Sequence, residues 1–311
     1  MTFSLFQIVL PVFLIIGAGY LSARTSIASN KSIDGLLSFA QNIAVPCLLF
    51  INIFQLDLQS IFSWGLLVSF YAGSLLCFIS GAIIARVLLK CNSGESIAIG
   101  FCALFSNSVI IGLPITELAY GKETLGANFA IISIHAPFCY IIGISAMEFF
   151  QNKRSRLSTT IKEILKTVSS NAITLSLFIG LIFNILKIQL LEPIMSALNL
   201  ISVSAIPVAL FALGGVLIRY KPSSQLTKIS LIAVLSLLVH PLVTYILAIQ
   251  YFELKIEIVR SAVITASMAP GINAFLFSNF YQTDRETAAG SVLICTPLTI
   301  ITTSIWIGIL A

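Results

Sequence analysis

The chain has 311 residues, 58% of them hydrophobic and 9% charged, whereas soluble domains average about 45–50% apolar and about 25% charged. That apolar excess excludes a soluble globular fold and points to integration in a bilayer. The net charge of +5 is too small to argue for nucleic-acid binding, and its distribution reports orientation instead.

A hydrocarbon core of about 30 Å takes about 20 residues of helix. Apolar runs between charged or turn-rich breaks predict ten spans, near 5–23, 33–53, 62–89, 96–120, 125–149, 167–187, 194–218, 227–251, 257–280 and 287–310. Met1 to Leu10 carries no Lys or Arg, so the first span lacks the basic start of a cleavable signal and is expected to stay. The loops after spans 1, 3, 5, 7 and 9 hold thirteen of the 17 Lys and Arg, leaving Lys122, Lys187, Lys255 and Arg260 for the other side. Basic residues gather on the cytoplasmic side. Both termini are therefore expected outside, and the longest loop, 150–166, is expected to be a solvated cytoplasmic linker.

Span 2 reads Ala44-Val45-Pro46-Cys47-Leu48-Leu49-Phe50, and 161 positions later span 7 reads Ala205-Ile206-Pro207-Val208-Ala209-Leu210-Phe211. Ile134-His135-Ala136-Pro137 of span 5 is echoed 160 positions on by Ile294-Cys295-Thr296-Pro297 of span 10. Two five-span copies follow: a first repeat at 1–150, the linker at 151–166 and a second repeat at 167–311. Five is odd, so the second copy enters the membrane inverted, and the pair can alternate between two related conformations. The predicted fold class is an all-α polytopic membrane protein with ten transmembrane helices in a 5+5 inverted repeat.

Spans 4 and 9 carry Ser106-Asn107-Ser108-Val109-Ile110-Ile111-Gly112-Leu113-Pro114 and Ser267-Met268-Ala269-Pro270-Gly271-Ile272-Asn273-Ala274. At 1.5 Å per residue, both stretches lie about 18–21 Å into their spans, near the midplane. Proline removes a backbone donor and crowds the preceding turn, and opened backbone survives in a membrane only inside protein or beside a wet cavity. Paired broken spans are the sequence pointer to a transporter's binding site. The half-helices beyond Pro114 and Pro270 are expected to begin at the centre and turn their free N–H groups towards an anion. Candidate substrate-binding residues are Asn107, Ser108, Gly112, Pro114, Pro270, Gly271 and Asn273, with the Ser106 and Ser267 hydroxyls alongside. Ordinary proline kinks with small residues for close packing are the competing explanation.

Ionisable groups inside spans count as functional candidates. His135 and His240 could take up a proton and couple transport to it, or stay neutral, bonded to backbone freed by the adjacent Pro137 and Pro241. Arg260 is expected to snorkel or to draw anions inward, and Glu117 and Glu148 to be interfacial. No Asp lies mid-span, which weighs against a carboxylate-based sodium or proton site. The six cysteines are scattered without a Cys-x-x-Cys and read as small buried hydrophobes, so neither metal nor cofactor is expected. With no Gly-x-Ser-x-Gly and two unrelated histidines, the chain does not read as an enzyme.

The pattern Asn107-Ser108-x-x-x-Gly112-x-Pro114, together with Ala269-Pro270-Gly271-Ile272-Asn273-Ala274-Phe275, resembles the auxin efflux carrier family, which includes the plant PIN-formed carriers and bacterial permeases for malate or malonate. The resemblance covers nearly the whole chain. It implies a fold similar to the bile acid:sodium symporters, with spans 1, 2, 6 and 7 as scaffold, spans 3–5 and 8–10 as a moving transport domain, and broken, crossing helices 4 and 9. It also implies a homodimer formed through the scaffold, Asn107 as a substrate contact and Pro114 as the crossover proline. Plant carriers have a second proline where Ala274 stands here, and many have a long central loop. A bacterial inner-membrane carrier for a small organic anion, working by elevator-like displacement, is therefore expected over an auxin carrier. The alternative is a sodium-coupled organic-acid symporter.

Overall fold

Where each helix starts follows from local chemistry. The computed structural model describes residues 2–56, 63–150, 171–220 and 225–311, and these are helical almost throughout. The linker predicted at 151–166 lies outside the described residues. Helix α1 (Thr2–Arg24) runs on through Pro11. α2 (Asn30–Phe39) begins where Ser29 Oγ accepts the Ser32 N–H at 3.1 Å, covering one of the donors that every helix start leaves free. A π turn at Ala40–Ala44 joins α2 to α3 (Val45–Gln55). α4 spans Trp64–Val87, and α5 (Ser93–Leu104) opens with a reciprocal cap between Asn92 and Glu95.

After α5 the chain is open at 105–107, forms a π turn at Ser108–Gly112 and continues as α6 (Leu113–Tyr120). α7 (Leu125–Phe150) passes Pro137 without interruption. The second half holds α8 (Ala172–Ile185), α9 (Glu192–Val203), α10 (Ala205–Leu217), α11 (Leu226–Val234), α12 (His240–Ile246), α13 (Ile256–Ala266), α14 (Ile272–Phe280) and α15 (Arg285–Ile309). π turns at Leu235–Val239 and Leu247–Tyr251 flank α12.

Among the described residues, seven helical rods are long and apolar enough to cross a membrane, and they fall on predicted spans 1, 2, 3, 5, 7, 8 and 10. The spans predicted at 96–120 and 257–280 are each two shorter helices, and at 167–187 the helix described is Ala172–Ile185.

Three π turns end two residues before a proline, namely Pro46, Pro114 and Pro241. A proline cannot donate to the carbonyl four residues back, and its ring crowds that carbonyl. Widening the preceding turn by one residue relieves the conflict, as in the bond from Leu113 N–H to Ser108 O. These prolines therefore sit inside continuous rods rather than at breaks.

The helices sort into two compact units. One gathers α1 from Val12 onward with α2, α3 and α8–α10; the other gathers α4–α7 and α11–α15. In the first, α1 and α10 meet backbone to backbone: a Cβ at Gly19 would collide with the Phe211 carbonyl, and one at Gly214 with that of Ile16. Asn184 of α8 shares its Nδ2 among the carbonyls of Ile53, Phe54 and Leu56 at 2.8–2.9 Å, satisfying the open end of α3. In the second, a Cβ at Gly100 of α5 would lie 2.6 Å from the Phe78 carbonyl of α4. The rings of Phe101 and Phe277 stack at 3.9 Å between α5 and α14, and Tyr71 donates to the Ile131 carbonyl at 2.7 Å. This second unit contains both broken spans.

Candidate functional site

The two broken spans meet at their open segments. Ser106 and Pro270 form a single antiparallel bridge, closed by Asn107 N–H to Ala269 O at 2.9 Å and Gly271 N–H to Phe105 O at 3.0 Å. Those bonds flank the Ser106–Pro270 pair, leaving it the non-hydrogen-bonded pair of the ladder. Pro270 therefore loses nothing by having no N–H, which is why a proline can stand in the bridge. Each opened backbone satisfies the other, as a low-dielectric setting requires.

Beyond the bridge both chains return to helix. Asn107, at φ −78° and ψ 61°, is the centre of an inverse γ-turn closed by Ser108 N–H to Ser106 O at 2.9 Å. Gly112 N–H then bonds Asn107 O at 3.0 Å, so helix resumes at Ser108. This corrects the expectation that the inner half-helix begins beyond Pro114: the opening is at 105–107, and Pro114 sits in the first turn of α6, absorbed by the π turn before it. On the partner, Gly271 at φ −78° and ψ 167° precedes α14. Two helix starts, each with first-turn N–H groups lacking a helical acceptor, thus converge on one bridge.

The side chains around it are unequal. Asn107 is buried, and its Nδ2 has no partner among the described residues. Asn273 is half-buried and accepts from Tyr140 Oη at 3.3 Å. Ser106 and Ser108 pair through their hydroxyls at 2.9 Å, whereas Ser267 donates back to Ile264 O at 2.9 Å and is occupied within its own helix. Gly112 contributes backbone only, its carbonyl accepting from Thr116 Oγ1 at 2.9 Å.

Neither histidine bonds backbone freed by its own proline. His135 Nε2 lies 3.2 Å from Ser106 O and 3.5 Å from Ser106 Oγ, which joins α7 to the opened segment. Its ring packs against Phe105 at 4.8 Å and Phe70 at 5.6 Å. His240 Nε2 lies 3.1 Å from Phe70 O, and its buried Nδ1 has no partner among the described residues. Arg260 bonds the Leu310 carbonyl at 2.9 Å and stacks 4.8 Å over Tyr120, Glu117 pairs with Lys122 at 3.8 Å, and Glu148 accepts from Tyr281 at 3.4 Å.

Two contributors have no sequence signal of the motif kind. Asn128 of α7, fully buried, donates to Thr116 Oγ1 at 3.2 Å and Thr265 Oγ1 at 2.7 Å, tying one half of each broken span to α7. Thr299 Oγ1 accepts the Ala269 N–H at 3.2 Å. A lone Asn or Thr in an apolar helix does not reveal its partner, although a fully buried Asn is uncommon enough to have been a flag.

Among the described residues, no acidic side chain bonds the groups at the bridge, and no three His, Cys, Asp or Glu converge as metal ligands. The arrangement presents N–H and hydroxyl groups beside two helix starts, a composition suited to a small anion. The sequence matches the family described as "Membrane transport protein" over residues 4–307. A Rhizobium meliloti protein named "Putative malonate transporter" is 24% identical over 303 residues, covering 95% of this chain and 92% of that protein. An "Uncharacterized transporter" of Methanothermobacter thermautotrophicus is 20% identical over 312 residues, 96% of each. A mouse "Lysosomal cholesterol signaling protein" is 27% identical over 192 residues, 58% of this chain and 22% of the mouse protein.

Proposed function

The chain belongs to the membrane transport protein family, that of the auxin efflux carriers, and from that premise we propose that it carries a small carboxylate bound at the crossing of its two broken spans. The observation that carries the reading is Asn107: a buried amide donor without a partner among the described residues, beside two helix starts. An unmet buried donor costs about 1–3 kcal/mol, and a carboxylate oxygen would relieve it. Ser106, Ser108 and the N–H groups after Asn107 and Gly271 complete the cradle, while Pro114 and Gly112 shape the helix behind it.

Transport follows by alternating access. The unit holding the crossing is the moving domain, the unit of α1 from Val12 onward, α2, α3 and α8–α10 the scaffold, and the chain works as a homodimer joined through that scaffold. The topology is ten spans in a 5+5 inverted repeat, in a bacterial inner membrane with both termini outside. The Lys and Arg asymmetry between loops and the existence of two compact units support this. The Rhizobium relative's name places malonate first among carboxylates to try.

The test is a thermal-shift screen of mono- and dicarboxylates on purified protein, followed by counterflow in liposomes with any hit. A stabilising carboxylate that also exchanges across the membrane is expected; if none among malonate, malate, succinate and short monoacids does either, the reading is wrong. Proton coupling is a second reading, favoured by the buried Nδ1 of His240, which has no partner among the described residues. It requires a pH gradient to drive uptake and His240→Gln to abolish that drive while leaving counterflow. Uptake lost on replacing sodium by potassium would instead favour the sodium-coupled alternative.

A further inference from the structure

Away from the crossing, a groove of about 350 Å³ runs between α4 and α5, with Phe150 among its lining residues. Phe78, Ala82, Ile83 and Ile97 line it, and its polar fringe includes Arg86 and Ser93. Ile83, Val87 and Phe150 along its edge are 54–64% exposed. On a helix that crosses a membrane, exposed apolar side chains of this size face acyl chains, so the groove opens to lipid. Its cation is already aimed. Arg86 gives one Nη1 hydrogen to the Cys91 carbonyl at 2.7 Å, which fixes the guanidinium at the end of α4. It makes no ion pair among the described residues, so the remaining donors of a planar fork suited to phosphate stay available.

We infer that this groove is a binding site for an anionic phospholipid, with one acyl chain along Phe78, Ala82 and Ile83 and the headgroup phosphate on Arg86, within reach of the Ser93 hydroxyl. Complementarity selects the occupant. A soluble carboxylate has no use for the apolar length, and a peptide would bury unpaired backbone in it. A zwitterionic lipid brings a second cation to a groove whose one charged lining residue, among the described residues, is Arg86. Basic pockets between membrane helices on the cytoplasmic side bind anionic headgroups by this logic. The inference stands independently of the carboxylate reading, because it uses none of the groups at the crossing.

The experiment is native mass spectrometry of the delipidated full-length protein titrated with phosphatidylglycerol and phosphatidylcholine of matched chains. One basic contact of about 1 kcal/mol corresponds to about a fivefold preference for phosphatidylglycerol. Arg86→Gln should remove that preference and Arg86→Lys keep most of it. Ile83→Trp, which fills the mouth of the groove, should weaken both lipids. Lys122→Gln, remote in sequence and bordering a different pair of helices, should change nothing. Retention of the preference in Arg86→Gln, its equal loss in Lys122→Gln, or unaltered binding in Ile83→Trp would each overturn the assignment, and a wild-type protein with no preference would do so at once.

Discussion

Two asparagines flank the crossing, yet only one has an idle buried amide nitrogen. Tyr140 donates to the carbonyl oxygen of Asn273, while Asn107 Nδ2 meets no partner among the described residues. Both were visible in the sequence as amides beside the broken motifs, because polar residues stand out in an apolar span. What separates them is burial, Asn107 being enclosed and Asn273 half-buried, and no local pattern encodes that. Ser267 shows the same limit: its hydroxyl turns back on Ile264 O although its sequence position resembles that of Ser106. A free donor held in the interior should cost stability without ligand and return it with ligand. Asn107→Ala should therefore leave the empty protein as stable as the parent, or more stable by up to about 1–3 kcal/mol, and lose the carboxylate-induced thermal shift. Unfolding curves with and without the screened carboxylate measure both. A variant that keeps the full shift would move the site elsewhere.

At the scale of the element, proline was the right flag and, for span 4, the wrong cause. The reading from residues placed the opening of span 4 at Pro114, seven positions past Asn107, because a missing donor breaks a helix. The structure accommodates Pro46, Pro114 and Pro241 with π turns and Pro137 and Pro297 within uninterrupted helices. What opens span 4 is pairing: Asn107 N–H and Phe105 O bond the other broken span instead of their own helix. Long-range partners of this kind lie beyond any window on the sequence, whereas capping boxes and apolar lengths lie within one. Pro114→Ala should leave the opening in place and keep carboxylate binding within about threefold, a change below 1 kcal/mol. Gly271→Pro is the opposite case. Its φ of −78° already suits proline, but the ring replaces the N–H that bonds Phe105 O, so the bridge should break and binding fall at least about tenfold, or 1.4 kcal/mol. Equal losses in the two variants would return the cause to Pro114.

For the whole molecule, the order of the chain and the grouping of its helices run across each other. Each compact unit draws helices from before and after the predicted linker, since contacts such as Phe101 on Phe277 in one and Asn184 to Ile53 O in the other join residues on either side of it. Hydropathy carried the membrane class and the long helices, because span length and composition are local properties. Pro-containing segments match in sequence at offsets of 160 and 161 positions, whereas grouping by contact needs the folded chain. If the unit holding the crossing carries substrate as a body, its internal distances must hold while its distances to the other unit change. Spin labels introduced at positions 122 and 255, both in the unit with the crossing, should give the same distance distribution with and without the transported carboxylate. Labels at 122 and 187, one in each unit, should shift weight between two populations when it is added, and the shift should vanish in Asn107→Ala, since a ligand moves an equilibrium only by binding its two states differently. A redistribution within the first pair, or none in the second under conditions of active counterflow, would mean that access alternates by some motion other than displacement of this unit.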